Sequence, residues 1–86
     1  MNSAMPQTTD EIYFWVVNIL HEMFELDKAK ITPAANLYSD LDIDSIDAVD
    51  LAVKFKELTG KRLQPEVFKT IRTVQDVVNA LADLLR

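Results

Sequence analysis

The sequence predicts an all-α fold, a small four-helix bundle with three longer helices, one short helix and a long loop between helices one and two. Only one glycine and three prolines interrupt its 86 residues, so few turns are expected. Apolar residues recur at helical spacing over long stretches. Hydrophobic residues make up 49% of the chain, which is enough for one modest core. We expect one domain over residues 8–86, preceded by a disordered N-terminal tail at residues 1–7.

The first helix is predicted to begin near Thr8, because Thr8 and Glu11 have the spacing of a capping box. Its apolar residues recur at intervals of three and four and are Ile12, Trp15, Val16, Ile19, Leu20, Met23 and Phe24. The stretch 31–44 lacks this periodicity. It is therefore expected to form an irregular loop, with Leu37 and Leu41 turned inward to hold it on the core.

The second helix is predicted to run from about Asp44 or Ser45 to Thr59. Gly60 can adopt the left-handed conformation that ends a helix. At about 100° per residue, one side of this helix carries a broad apolar stripe. The stripe is expected to face the core and comprises Ala48, Leu51, Ala52, Phe55 and Leu58.

Two further helices complete the bundle. Pro65 suits the first turn of a short third helix over residues 66–70. Thr73 and Asp76 have the spacing of another capping pair, which places the start of the last helix. The inner side of that helix is expected to comprise Val74, Val77, Val78, Leu81, Leu84 and Leu85. A bundle of this size is expected to be a monomer.

The charge of the chain limits its partners. The formal net charge is −5, which repels nucleic acids and anionic lipids and favours basic protein surfaces. No apolar run reaches the roughly 20 residues of a membrane span, and residues 1–7 lack a secretory pattern, so we expect no membrane insertion and a cytoplasmic location. The absence of cysteine excludes disulfides and thiolate metal sites.

Residues 44–47, Asp-Ser-Ile-Asp, stand at the predicted start of helix two. More than one role is compatible with this segment. Aspartate and serine are both favoured helix caps. Asp40, Asp42 and Asp44 also have the first spacings of a calcium-binding EF-hand loop. That loop requires glycine at its sixth position and glutamate at its twelfth, where this chain has Ser45 and Leu51. We therefore expect no metal site.

A nucleophilic serine enzyme is not supported by the sequence. Such a serine requires a general base, and the only histidine is His21, which stands in the middle of the predicted first helix. No Gly-x-Ser-x-Gly turn surrounds Ser45. His21 is expected at the surface, where Glu25 one turn on is a candidate partner. We therefore assign no catalytic residue.

The surroundings of Ser45 make a family resemblance specific. Residues 44–47 resemble the Asp-Ser-Leu-Asp motif of the acyl carrier proteins, with isoleucine in place of leucine. The family's loop before the motif is resembled by Ile-Thr-Pro at 31–33 and Asn-Leu-Tyr-Ser-Asp-Leu at 36–41. Val-Asp-Leu at 49–51 resembles the family's Val-Glu-Leu after the motif, and Thr-Val-Gln-Asp at 73–76 resembles the opening of its last helix. The resemblance covers roughly residues 9–85.

The resemblance implies a modified serine on a protein that is not itself an enzyme. In this family a separate phosphopantetheinyl transferase moves 4'-phosphopantetheine from coenzyme A onto the motif serine, which here is Ser45. The terminal thiol of this arm then holds an acyl group as a thioester for fatty-acid, polyketide or specialised lipid synthesis. Asp44 corresponds to the aspartate that the transferase is expected to recognise. Acyl-loading and acyl-processing enzymes are the further partners implied.

A second side of helix two is predicted to bind these enzymes. This mixed apolar and acidic surface, here called the docking strip, comprises Ile46, Asp47, Val49, Asp50, Val53 and Glu57. Charge would steer its encounter with basic partners. The simpler interpretation is that its apolar members lie at the edge of the core. Lys54 and Lys56 depart from the family by diluting the acidic charge, which suggests specialised partners, and Asp42 stands where the family often has glycine.

Three alternatives remain open. An aminoacyl carrier, such as a D-alanyl carrier, would share the arm. An unmodified helical interaction module would keep the fold and never receive the arm. Within the carrier hypothesis, the inner apolar residues either form an ordinary core or line an acyl pocket. The candidate pocket residues are Phe55, Leu58, Leu63, Phe68, Ile71 and Val78.

Overall fold

Four α-helices and one short 3₁₀ turn account for the regular structure of residues 8–63 and 65–85, which the computed structural model describes. In chain order they are α1 (Thr9–Phe24), the 3₁₀ turn (Lys28–Lys30), α2 (Ser45–Thr59), α3 (Pro65–Thr70) and α4 (Val74–Leu84). The all-α class, the four helices and the long loop before α2 are confirmed. The 3₁₀ turn was not predicted. The tail expected at residues 1–7 lies outside the described residues.

Each of the three longer helices begins at a reciprocal capping box, in which two side chains satisfy each other's free backbone N–H groups. In α1, the Glu11 N–H donates to Thr8 Oγ1 over 3.1 Å, and the Thr8 N–H donates to Glu11 Oε1 over 3.0 Å. The paired residues are Thr8 with Glu11, Asp44 with Asp47, and Thr73 with Asp76. The two boxes that the sequence predicted, for α1 and α4, are confirmed.

The C-termini of α1 and α2 both end in a left-handed residue. Gly60 closes α2 at a φ of 72°, as its lack of a side chain predicts. Glu25 occupies the equivalent position after α1 at a φ of 55°, a conformation that a residue with a Cβ adopts at a steric cost. The sequence therefore identified the end of α2 more clearly than the end of α1.

The core lies between α1, α2, α4 and the long loop. α1 packs mainly against α4, and the half-buried Trp15 places its ring 6.0 Å from that of Phe55 on α2. The side chains that are essentially inaccessible to solvent are Phe55, Leu20, Leu37, Leu51, Ile71, Leu81, Val16, Val74, Val77 and Val78. The predicted core positions on α1 and α4 supply most of this list.

Several expected core positions are less buried than predicted. Leu58 is 41% exposed, because it lies in the last turn of α2, at the edge of the apolar stripe. Ala52, Leu84 and Leu85 are half-buried. Apolar periodicity identifies the side of a helix that faces the core, but it does not show how far the core extends along that side.

His21 is exposed, as expected, but its partner differs from the prediction. Its Nδ1 lies 2.7 Å from the carbonyl oxygen of Leu26, and within the part of the chain that the structure describes it makes no hydrogen bond or ion pair with Glu25. The left-handed turn at Glu25 reverses the chain and brings the Leu26 carbonyl to the imidazole. His21 therefore helps to close the end of α1, and it lies on a different helix from Ser45.

Backbone hydrogen bonds hold the loop between α1 and α2 against the start of α4. The Leu37 N–H donates to the Arg72 carbonyl over 2.8 Å, and the Val74 N–H donates to the Ala35 carbonyl over 3.0 Å. Leu37, Leu41 and Ile43 of this loop are buried. The inward position of Leu37 and Leu41 is confirmed, and the loop fixes where α2 begins.

Candidate functional site

Ser45 is the first residue of α2, and its hydroxyl is not used for capping. Asp44 is the N-cap: its Oδ1 accepts from the Asp47 N–H over 2.9 Å, while Asp47 Oδ2 lies 3.5 Å from the Asp44 N–H. Ser45 is exposed, and its hydroxyl makes no hydrogen bond within the described part of the chain. The capping explanation therefore applies to Asp44 and leaves the Ser45 hydroxyl available for chemistry.

Asn36 holds the loop that leads to Ser45. Its Oδ1 accepts from the N–H groups of Tyr38 and Ser39 over 2.9 and 3.0 Å, and its own N–H donates to Asp40 Oδ2 over 2.7 Å. The Ile43 N–H then donates to the Leu37 carbonyl over 2.9 Å. This local network positions the backbone just before the serine. The turn preference of asparagine was the available sequence signal for it, and Asn36 was not assigned this role.

Asp42 adopts the left-handed conformation at a φ of 56°. This is the conformation in which glycine is favoured, and the family often has glycine here. Aspartate tolerates it better than most residues. The loop before the serine therefore takes a glycine-like turn despite the departure from the family pattern.

Two carboxylates and the positive end of a helix surround the serine. Asp44 and Asp47 stabilise the helix dipole while no other anion is present. The free N-terminal N–H groups of a helix also suit a phosphate oxygen. Among the described residues, no three His, Cys, Asp or Glu side chains are placed to hold a metal ion. The three aspartates that resembled a calcium loop therefore do not form such a cluster.

The apolar members of the docking strip are exposed. The exposed fractions of Ile46, Val49 and Val53 are 72%, 60% and 51%, which excludes the interpretation that they belong to the edge of the core. Asp50 and Glu57 are also exposed, and Asp47 is half-buried. Large apolar side chains that cluster on a surface are typical of sites that bind a partner.

An open groove of about 460 Å³ runs beside the serine, between α2 and α3, within the size range of small-molecule sites. Apolar side chains form most of its walls. Its lining residues are Tyr38, Ser45, Ala48, Val49, Ala52, Val53, Lys56, Arg62, Leu63, Phe68 and Lys69. Ser45 thus belongs both to the start of α2 and to the groove.

This groove differs from the acyl pocket that apolar periodicity predicted. Leu63 and Phe68 line it, as expected. Phe55, Ile71 and Val78 are instead buried in the core, and Leu58 is exposed outside the groove. The groove residues missed by the sequence, including Tyr38, Arg62 and Lys69, come from three separate segments, and only the packing of α3 beside α2 brings them together.

A phosphopantetheine fits the arrangement around Ser45. The serine offers an exposed and uncommitted oxygen at a helix N-terminus, where a phosphodiester is electrostatically tolerated. The neighbouring groove is open to solvent on one side and mostly apolar within, so it can receive an attached chain.

None of the helices formed by residues 8–63 and 65–85 is long and apolar enough to cross a membrane.

Comparison with known proteins gives a consistent result. The family model described as "Phosphopantetheine attachment site" matches residues 15–81. The chain is 51% identical over 78 residues to "Acyl carrier protein 2" of Ralstonia nicotianae, covering 91% of this chain and 96% of that protein. It is 33% identical to "Acyl carrier protein" of Petrotoga mobilis, covering 91% and 92% of the two chains.

A third relative belongs to a longer protein. The chain is 36% identical over 74 residues to "Meromycolate extension acyl carrier protein" of Mycobacterium tuberculosis. The match covers 86% of this chain and 64% of that protein. The three matches cover 86–91% of this chain.

Proposed function

The chain belongs to the acyl carrier protein family, and from this premise we propose that Ser45 is the residue that bears its phosphopantetheine. Members of this family carry acyl groups on that covalently attached cofactor. The observation that supports Ser45 is its free, exposed hydroxyl beside the N-cap, at the position that corresponds to the motif serine. The domain that performs this role spans residues 8–86.

In the proposed modification, Ser45 Oγ attacks the phosphorus of coenzyme A that carries the pantetheine. A new P–O bond forms to Oγ, the P–O bond to the adenosine phosphate breaks, and a base on the transferase takes the serine proton. The exposure of Ser45 gives the transferase access to Oγ. When bound, the cofactor supplies a thiol that holds the acyl group as a thioester.

Asp44 has two roles in this proposal. Its Oδ1 caps α2 through the Asp47 N–H, which fixes the backbone on which Ser45 stands. Its exposed carboxylate is also the charge that the transferase recognises. Because the capping bond uses one carboxylate oxygen, the other remains available to a partner.

The docking strip is the proposed binding surface for the transferase and for the acyl-loading and acyl-processing enzymes. Ile46, Val49 and Val53 supply apolar area, while Asp50 and Glu57 steer basic surfaces towards it. Asp47 is half-buried and its carboxylate faces the Asp44 N–H, so its charge is less accessible to a partner. Lys54 and Lys56 stand two positions apart and therefore about 200° apart around α2, so they dilute the acidic charge from two different sides.

The protein itself acts as a substrate-bearing partner and not as an enzyme, because the cofactor brings the reactive thiol. We place it in the cytoplasm as a monomer that meets its enzymes one at a time. The groove beside Ser45 receives the acyl chain between these encounters, since its apolar walls remove methylene groups from water.

An intact-mass measurement tests the attachment site. The protein is incubated with coenzyme A, magnesium and a broad-specificity phosphopantetheinyl transferase. The wild type and Ser39→Ala should gain the mass of one phosphopantetheine, whereas Ser45→Ala should not. Ser39 is the matched control, because it is an exposed serine in the adjacent loop. Failure of the wild type to gain mass, beside a control carrier that loads, would favour the unmodified interaction module.

A further inference from the structure

Lys56 and the exposed acidic residues of the docking strip lie on opposite sides of its apolar residues. Lys56 and Asp50 stand three positions after and before Val53, so they lie about 60° to either side of it around α2. Glu57 lies about 40° from Val53, on the same side as Asp50. All four side chains are exposed. The apolar residues are therefore bordered by an acidic edge, formed by Asp50 and Glu57, and by a basic edge, formed by Lys56.

The groove shows which of these edges adjoins the serine. Val53 and Lys56 line the groove, as does Ser45, whereas Asp50 and Glu57 do not. Ser45 and Lys56 are eleven positions apart, which returns them to within about 20° of the same side of α2. The basic edge therefore lies on the side of the helix from which the serine is reached, and the acidic edge lies farther round the helix.

The charges of both edges are available to a partner. Within the residues that the structure describes, the side chains of Asp50, Glu57 and Lys56 form no hydrogen bond or ion pair with one another or with other groups. Charges at the rim of an interface contribute more to orientation and to the association rate than to affinity. Opposite charges on the two edges therefore favour one rotational setting of a bound partner.

We infer that the docking strip fits a partner enzyme whose surface has an apolar patch between a basic side and an acidic side. This inference rests on the proposed function, which makes the strip the surface where enzymes bind. Basic side chains of the enzyme contact Asp50 and Glu57, and an acidic side chain contacts Lys56. Like charges would meet if the enzyme were turned around, which disfavours that arrangement. The charges thereby direct the Ser45 side of α2 towards the enzyme.

Two synthetic helical peptides of identical composition test this arrangement. Each carries a row of leucines. The separated peptide has lysines along one edge of that row and glutamates along the other, whereas the mixed peptide alternates lysine and glutamate along both edges. Fluorescence anisotropy gives the Kd of each peptide for the full-length protein. The separated peptide should bind about threefold to fivefold more tightly, since exposed ion pairs shift equilibria by such factors, and high salt should reduce the difference.

Two substitutions that remove the same charge from the same helix should change this Kd in opposite directions. Lys56→Gln removes the charge that meets the glutamates and should raise the Kd of the separated peptide about threefold. Lys54→Gln is the matched variant, because Lys54 lies beyond the acidic edge, about 100° from Val53, where its charge repels the lysines of the peptide. Lys54→Gln should therefore lower the Kd. Circular dichroism confirms that both variants remain folded.

Nitrogen-15 NMR shows where the peptides bind. Equal affinity of the two peptides, or the same change in Kd for Lys54→Gln and Lys56→Gln, would refute the inference, since net charge alone would then explain the binding. Shifts confined to helices other than α2 would also refute it. If neither peptide binds, or if the protein self-associates through Ile46, Val49 and Val53, the docking strip is not an enzyme-binding surface and the inference fails with it. Failure of attachment at Ser45 is distinguished from these results, because it appears as no gain in mass.

Discussion

Replacing Asp44 by alanine and by asparagine should distinguish its structural role from its electrostatic role. Alanine removes the oxygen that accepts from the Asp47 N–H over 2.9 Å, whereas asparagine keeps an acceptor oxygen and loses the charge. Both variants leave Ser45 in place. The pair therefore tests whether the residue before the serine serves the fold, the transferase or both.

The stability effect follows from the capping geometry. Replacement of an N-cap aspartate by alanine destabilises a protein by about 0.5–2 kcal/mol, and asparagine caps as well as aspartate. The reciprocal bond from the Asp44 N–H is long, at 3.5 Å, so its loss adds little. We expect a loss of about 1 kcal/mol for Asp44→Ala, or a decrease in Tm of about 4–8 °C for a domain of this size. Asp44→Asn should change Tm by much less.

The rate of phosphopantetheine loading should rank the two variants differently from their stability. If the transferase recognises the carboxylate, Asp44→Asn and Asp44→Ala should both be loaded more slowly than the wild type. Thermal unfolding followed by circular dichroism gives the stability, and a time course of intact mass gives the loading rate. An equal loss of stability in both variants would refute the capping argument. Wild-type loading of Asp44→Asn would refute the role of the charge.

Three further substitutions test the loop, the last helix and the docking strip. Asp42→Gly should raise the free energy of unfolding by up to about 1 kcal/mol, because glycine accepts the left-handed φ without strain. A lower free energy of unfolding for the variant, measured by urea denaturation, would contradict this. Backbone N–H groups of Arg72 and Thr73 lower the pKa of Asp76, so its stabilising effect is present above about pH 4 and lost as the pH falls further. Asp76→Asn should therefore be less stable than the wild type at pH 7, by less than about 1 kcal/mol after screening, and equally stable near pH 2. If the difference in free energy of unfolding between the two proteins were the same at both pH values, this reasoning would be refuted. The double substitution Asp50→Lys and Glu57→Lys should raise the KM of the transferase about tenfold at low salt with little change in kcat, and an unchanged KM would count against the docking strip.

Helix boundaries were predictable because the determining interactions are local. A threonine followed three residues later by a carboxylate marked the starts of α1 and α4, and Gly60 marked the end of α2. The residues involved lie within one turn of each other, so their spacing in sequence reports their contact in space. Glu25, which ends α1 without being glycine, shows where this local signal is weaker.

The groove was not predictable in the same way. Its lining joins the loop before α2, about three turns of α2, the segment between α2 and α3, and α3 itself. Residues with no periodic relation to one another, such as Tyr38 and Arg62, meet only after the helices pack. Apolar periodicity instead assigned Phe55 and Val78 to the pocket, although both fill the core. The sequence thus singled out the serine as a candidate attachment site and gave an incomplete account of the surface beside it.

The order of Asp44 and Ser45 is itself an argument for the proposed attachment. Serine is as good an N-cap as aspartate, so a helix that needed only a cap could begin at either residue. Had Ser45 been the cap, its oxygen would accept a backbone N–H and would be held against the helix. With Asp44 in that role, the serine moves to the first helical position, where its Oγ is exposed and beside the groove. Because Ser45 stands one residue after the N-cap, its hydroxyl is not occupied in capping. An enzyme can therefore modify it, and a chain attached to it can enter the groove.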